Sequence, residues 1–268
     1  MTQMFSTSDP SLPPYKSLIV QGDYHPSAPI HMCLSVPTGA KALLLSSARQ
    51  ALIRSLREYN DEWLLTNSGT GNTCRSSSEV DIFYPPTPNH LAVLLSAFRT
   101  HEASNPVPLD AKATLNSVPS LLVLHELSAY FLPTSENKPH TIASYLQLVS
   151  HALALATFLS PGSQTPMRFA LFDSQLDKLK LPVLRTPAVP VFDGEESGDE
   201  TPRPEPIAFV THKYFEWVAT FNRSETDSSS DGSGVRRCTL TLHKQGSDIK
   251  SDIMWRWAEV PERTHRPL

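Results

Sequence analysis

The chain has 268 residues, 40% of them hydrophobic, which is enough for one substantial core or one core plus a small appendage. Lysine and arginine (23) nearly balance aspartate and glutamate (27), for a formal net charge of −4. Bulk charge therefore recruits no nucleic acid, and any such contact must come from a local basic patch. With 24 prolines against 10 glycines the composition argues against a Gly-rich phosphate loop, and the three widely spaced cysteines (Cys33, Cys74, Cys238) fit a reducing compartment better than a disulfide scaffold.

Residues 1–14 read as a flexible, proline-punctuated tail without the basic start and apolar run of a secretory signal. No stretch approaches the roughly 20 apolar residues of a membrane helix, so the expectation is an intracellular protein that makes no membrane contact. Residues 15–257 are expected to form one domain. Within it, Leu18-Ile19-Val20, Ala42 to Leu45, Leu121 to Leu124 and Phe169 to Phe172 are short continuous apolar runs, the pattern of strands buried on both faces.

The intervening stretches have helical spacing. Leu52, Ile53, Leu56 and Trp63 line one face of a first helix. Leu91, Leu94, Leu95 and Phe98 line a second, with Thr87 as N-cap and Pro88 at the first helical position. Ile142, Tyr145, Val149, Ala152, Ala156 and Leu159 line a third. Strand–helix–strand alternation predicts an α/β fold on a mainly parallel sheet. Later segments at about 193–206 and 224–235 are acidic or serine-rich and nearly free of apolar residues, and are expected to be disordered insertions. Around them Phe215, Trp217, Ala219 and Phe221, then Cys238, Leu240 and Leu242, then Ile253, Trp255 and Trp257 alternate as antiparallel strands appended to the sheet edge. Residues 258–268 form a C-terminal tail.

The first strand runs into a glycine, the place where nucleotide-binding folds put G-x-x-x-x-G-K-[ST]. Gly22 takes the position of the first glycine, Ser27 that of the second, Ala28 that of the lysine and Pro29 that of the hydroxyl residue. Pro26 and Pro29 remove two N–H donors, Ala28 removes the cation and Asp23 adds a repelling charge. The strand Leu121 to Leu124 stands where such folds carry a magnesium-linked aspartate, yet His125 follows it, a poorer magnesium ligand than a carboxylate, and then Glu126. Both halves of the nucleotide site are degenerate. An α/β fold that never had a phosphate loop is the competing explanation.

Ile82-Phe83-Tyr84-Pro85-Pro86-Thr87, Ser120 to Tyr130 (SLLVLHELSAY) and Tyr214 to Phe221 (YFEWVATF) resemble blocks of the ATPase-like partner of the SWIM-domain recombination protein, a RecA-paralogue family of the Shu complex. The resemblance runs in order from about Ser17 to Gln245. It implies a RecA-like, P-loop NTPase-type fold and contacts with a zinc-coordinating SWIM-domain protein and other RecA-like recombinase paralogues. It further implies weak binding of single-stranded or forked DNA, support of homologous recombination and DNA repair, and a nuclear location. The family's phosphate loop is what this chain lacks at Gly22 to Pro29, so the expectation is a non-catalytic subunit with no cofactor. An ATPase with an atypical loop, and a pure assembly scaffold without DNA contact, stay open as alternatives.

Rival chemistries have less in their favour. No G-x-S-x-G exists, and Ser174 after Phe172-Asp173 lacks both glycines. Cys33 near His31 and Cys238 near His243 fit core cysteines better than nucleophiles. There is no C-x-x-C or H-E-x-x-H, so no metal site is expected; His25, His90, His101 and His151 read as surface or helix-face residues. His125 differs, because ligands sit at strand carboxyl ends in open parallel sheets, although a satisfied structural histidine is the favoured reading there too. Candidate DNA contacts, set against the simpler reading of solvated surface charge, are Lys178, Lys180 and Arg185 after the fourth core strand, and Arg236, Arg237 and Lys244 around the hairpin. Arg256, Arg263 and Arg266 form a further group, beside tryptophans Trp255 and Trp257 that can stack on bases or belong to the core.

Overall fold

The computed structural model describes residues 12–58, 61–100, 114–132, 140–160, 166–183, 203–225, 236–246 and 252–259. The chain runs β1 (Ser17–Gly22), α1 (Ala28–Leu34), β2 (Ala42–Ser46), α2 (Arg49–Glu58), α3 (Glu62–Asn67), α4 (Gly71–Ser78), β3 (Val80–Phe83) and α5 (Pro88–Ala97). Two-residue strands β4 (Arg99–Thr100) and β5 (Thr114–Leu115) precede β6 (Leu121–His125), a 3₁₀ turn (Leu127–Tyr130), α6 (Ile142–Phe158) and β7 (Arg168–Asp173). Then come β8 (Lys180–Pro182), β9 (Pro204–Pro206), α7 (Ala208–His212), β10 (Trp217–Glu225), β11 (Arg236–Lys244) and β12 (Ile253–Glu259).

The fold is α/β, built on a mixed eight-stranded sheet in the order β12-β11-β10-β1-β7-β6-β2-β3. The six strands from β10 to β3 are mutually parallel, and β11 and β12 continue the sheet antiparallel. The four apolar runs are β1, β2, β6 and β7, the inner strands. Their residues alternate between two cores. Ile19, Leu43, Leu45, Leu122, Leu124, Phe169 and Leu171 pack under Leu91, Leu95, Tyr145, Leu148 and Val149 of α5 and α6. Leu18, Val20, Leu44, Val123, Ala170 and Phe172 pack on the other face with Ala28, Met32 and Cys33 of α1. Each fully buried aliphatic side chain contributes roughly 1.5–3 kcal/mol, which is why both faces of these strands are apolar. Helix starts follow their caps: Thr87 Oγ1 accepts the His90 N–H at 3.2 Å, and Thr141 Oγ1 accepts the Ser144 N–H at 3.3 Å.

Several expectations change. The first predicted helix is broken: Asp61 caps a new one by accepting the Leu64 N–H at 2.9 Å, so Trp63 belongs to α3 and not to the face of Leu52 and Leu56. β10 is not an antiparallel appendage, since Leu18 to Gly22 pair in parallel with Trp217 to Phe221. Within the segment expected to be a disordered insertion, Pro204–Pro206 pair antiparallel with Lys180–Pro182. Residues 193–202 and 226–235, Arg185, His101, Arg263 and Arg266 lie outside the described residues, as do the side chains of Arg236 and Trp257. Leu12 and Tyr15 are buried in the α1-side core, so packing begins by residue 12. Among the described residues no helix is long and apolar enough to cross a membrane.

Candidate functional site

The β1–α1 loop is where a nucleotide site was expected. Gly22 has φ +84°, and a Cβ there would lie 2.1 Å from the Phe221 carbonyl oxygen of β10. Its glycine is thus required by the neighbouring strand. Tyr24 then turns inward, its ring edge-on to Phe172 at 5.3 Å and its hydroxyl donating to Glu126. Ser27 is buried and donates its hydroxyl to Asp61, while Ala28 and Pro29 are buried in the first turn of α1. Of the residues expected to form a degenerate nucleotide site, Ser27, Ala28 and Pro29 are therefore turned away into packing. Only His125 and Glu126 line the cleft at the sheet's carboxyl end.

That cleft has a volume of about 610 Å³. The ends of five adjacent or near-adjacent strands contribute Asp23 and Tyr24, Ser46 and Ser47, His125 and Glu126, Ser174 and Gln175, and Arg223. This is where open parallel sheets carry ligands. Glu126 has φ 54°, in the left-handed region, and its carboxylate accepts from Tyr24, from the Ser174 N–H at 3.2 Å and from the Ser174 hydroxyl at 2.9 Å. Ser174 thus donates to Glu126 through both its main-chain N–H and its hydroxyl.

Behind the cleft lies Asp173, wholly buried at the end of β7. It accepts the Ser128 N–H and the Tyr145 hydroxyl, each at 2.9 Å. Burial, helped by the negative charge of Glu126, pushes its carboxyl up to about 7 against the opposing hydrogen bonds from Ser128 and Tyr145. Burial, and then the Glu126 and Asp173 carboxylates, hold the Tyr24 and Tyr145 hydroxyls well above their ordinary value. His125 moves the other way: burial lowers it more than Glu126 raises it, and the ring has Nδ1 3.0 Å from Ser46 Oγ and Nε2 3.9 Å from Glu126 Oε1. Asp173 was missed by sequence reasoning, although it carries the signal that singled out His125: a polar residue closing a continuous apolar strand.

A second polar cluster ties the loop to α3. Asp61 Oδ2 accepts from Ser27 and lies 2.7 Å from His31 Nε2, and His25 Nδ1 is 2.6 Å from Ser27 Oγ. Trp63 packs its ring 5.0 Å from that of His31. Partial burial opposes ionisation of Asp61, but the hydrogen bonds from His31, Ser27 and the Leu64 amide outweigh it and hold the carboxyl well below the usual range. His25 is half-buried and takes part in this network, while His90 pairs with its own cap, Nδ1 2.7 Å from Thr87 Oγ1. Cys33 and Cys238 are buried and Cys74 exposed; burial pushes the Cys33 thiol up to about 12, which suits a core residue. Among the described residues no group of three or more His, Cys, Asp or Glu side chains is arranged to hold a metal ion.

The basic candidates do not converge. Lys178 and Lys180 are exposed after β7. Arg236 and Arg237 lie opposite Glu225 and Ser224 at the hairpin end of β11, but Lys244 lies opposite Trp217 at the other end. Seven residues of extended strand, about 23 Å, separate Arg237 from Lys244. Lys244 does not flank the hairpin as expected, and is held by Glu216 Oε1 at 3.8 Å and the Trp217 ring at 5.5 Å. Trp255 is half-buried against the α1-side core. No protein-family model matches the chain, and no curated protein matches it in sequence.

Proposed function

We propose that the chain is a RecA-like paralogue whose nucleotide site has been lost, acting as a non-catalytic subunit of a nuclear, Shu-like complex that supports homologous recombination and DNA repair. One observation carries this reading: Ser27, Ala28 and Pro29 are packed away while Tyr24 is bonded across to Glu126, inside the space a phosphate loop would surround. The strand order adds support. β1 and β6 are separated only by β7, so loop residues Asp23, Tyr24 and Pro26 and strand-end residues His125 and Glu126 line one cleft. Under this reading the partners are a SWIM-domain zinc protein and other RecA-like recombinase paralogues. Lys178, Lys180 and Arg237 supply weak contacts to single-stranded or forked DNA, and Arg185, Arg236 and Lys244 are the remaining basic candidates.

The separation of Arg237 from Lys244, and the engagement of Lys244 by Glu216, favour a second version: a pure assembly scaffold with no DNA contact. The test is co-expression with a SWIM-domain zinc protein, followed by gel filtration and DNA retention across a salt series. Co-elution supports the subunit reading, and separation of the two chains rejects it. DNA retention that falls steeply with salt favours direct contact, whereas salt-insensitive assembly without retention favours the scaffold.

A further inference from the structure

The two edges of the eight-stranded sheet are built differently. At one edge β3 is four residues long and carries Asp81 between its apolar residues. At the other edge β12 is seven residues long and reads Ile-Met-Trp-Arg-Trp-Ala-Glu, with Arg256 as the single charge between its ends. It keeps one-to-one register with β11, from Leu242 opposite Ile253 to Arg236 opposite Glu259, without a bulge or a proline. Its outer side pairs with no strand among the described residues, and Ile253 and Met254 are 36% and 49% exposed. Such an edge is a template for another strand, and proteins that stay monomeric blunt it with charges, prolines, bulges or a covering element.

The charges along the strand point to its occupant. Trp255 packs toward the α1-side core, so Ile253 lies on that face of the sheet and Met254 and Arg256 lie on the other. Asp252, just before the strand and on the face of Met254, has Oδ1 2.7 Å from His243 Nδ1. Two copies of β12, paired antiparallel about a two-fold axis normal to the sheet, keep these faces matched. With the axis on Met254, Asp252 of each copy stands opposite Arg256 of the other, and Ile253 stands opposite Trp255. Opposite charges and aliphatic–aromatic pairs are the cross-strand combinations that stabilise a ladder. An ionised carboxylate accepts about four hydrogen bonds, so Asp252 can serve His243 and Arg256 together. Moving the axis to Ile253 or Trp255 instead sets Met254 opposite a charge, and moving it to Arg256 sets like charges face to face. One register therefore satisfies both charges, twice over. The pairing is isologous and closes at two copies, leaving the short β3 edges outermost.

We propose that β12 pairs antiparallel with β12 of a second copy of this chain, about a two-fold axis at Met254, joining the two sheets into one. The inference does not depend on how the cleft is read. The test is sedimentation velocity of the full chain at about 1–100 μM, beside Met254→Lys, Asp252→Arg and Arg256→Asp, each checked for folding by circular dichroism. All three positions are exposed, and the contact that Asp252 gives up with His243 is worth little at the surface. Wild type dimerises as its concentration rises. Met254→Lys brings two ammonium groups together on the axis, and each charge reversal sets two like-charge pairs across it, so every variant dissociates about tenfold more readily. An equimolar mixture of Asp252→Arg with Arg256→Asp restores the dimer, because each chain then offers the charges that the other lacks. A wild type that stays monomeric overturns the proposal, as does a dimer unmoved by the folded variants or a mixture no tighter than its components. A monomer that captures a co-expressed SWIM-domain zinc protein, and releases it in Met254→Lys, likewise overturns self-pairing and gives the edge to a partner strand.

Discussion

Replacing Gly22 by alanine separates two explanations for a glycine at the start of the β1–α1 loop. In a phosphate loop it would serve the ligand; here a Cβ would lie 2.1 Å from the Phe221 carbonyl oxygen, where real Cβ contacts stay beyond 3.0 Å. The φ of +84° costs a non-glycine residue about 1–2 kcal/mol. Relieving the clash pushes β10 from β1 and endangers the 3.3 Å bond from the Asp23 N–H to Phe221, another 0.5–1.5 kcal/mol or so with its neighbouring rung. The total is about 3 kcal/mol, a fall of roughly 6–12 °C in Tm for a domain of this size. Gly39→Ala is the internal control: its φ is +83°, yet nothing lies within 4 Å of the added Cβ, so only the conformational cost of about 1–2 kcal/mol applies. Circular-dichroism melts of both variants without nucleotide provide the comparison. Equal, small shifts would refute the argument that β10 dictates the glycine.

Three further outcomes follow from the polar networks. Tyr24→Phe removes a donor to the Glu126 carboxylate and lowers stability by about 1–3 kcal/mol, read by chemical denaturation; an unchanged midpoint would mean that the bond does not hold the loop. Asp173 titrates at about 7 in the folded chain against an ordinary 3.8, so the folded state holds the proton more tightly than the unfolded one. The associated stability is fully present below about pH 4 and is lost as pH rises toward 7. Wild type therefore loses Tm relative to Asp173→Asn between about pH 4 and 7, and a parallel pair of curves would contradict this. Asp61→Ala frees Ser27 and His31 and uncaps α3, costing about 1–2 kcal/mol and changing Trp63 fluorescence through its contact with His31. Unaltered emission and melting would show that the cluster does not fasten α3.

The inner sheet was legible because β1, β2, β6 and β7 are buried on both faces, and continuous runs such as Leu121 to Leu124 have few other uses. Caps at Thr87 and Pro88 were legible for the same local reason. What escaped depends on partners distant in sequence. β3, with Asp81 in the middle of four residues, is an edge strand only half-buried and lacks the apolar signature. The parallel pairing of β10 with β1 joins residues about 200 apart, and its alternation matches that of the antiparallel strands beyond it. At the site, His125 and Glu126 were visible as polar residues closing an apolar strand, and Asp173 was equally visible by that rule. That Ser27 is bonded to Asp61, and Tyr24 to Glu126, required the tertiary fold, because the loop's side chains choose partners 34 and 102 residues away.

The proposed loss of a nucleotide site is tested most directly by a thermal-shift titration of the full chain with magnesium and ATP, run beside an intact P-loop ATPase. A ligand at 100 times its Kd adds about 2.7 kcal/mol, or roughly 5–10 °C here. The buried Ser27, Ala28 and Pro29 predict no shift up to millimolar nucleotide. A saturable rise in Tm that is abolished in Glu126→Gln would contradict the account and restore the cleft as a working nucleotide site.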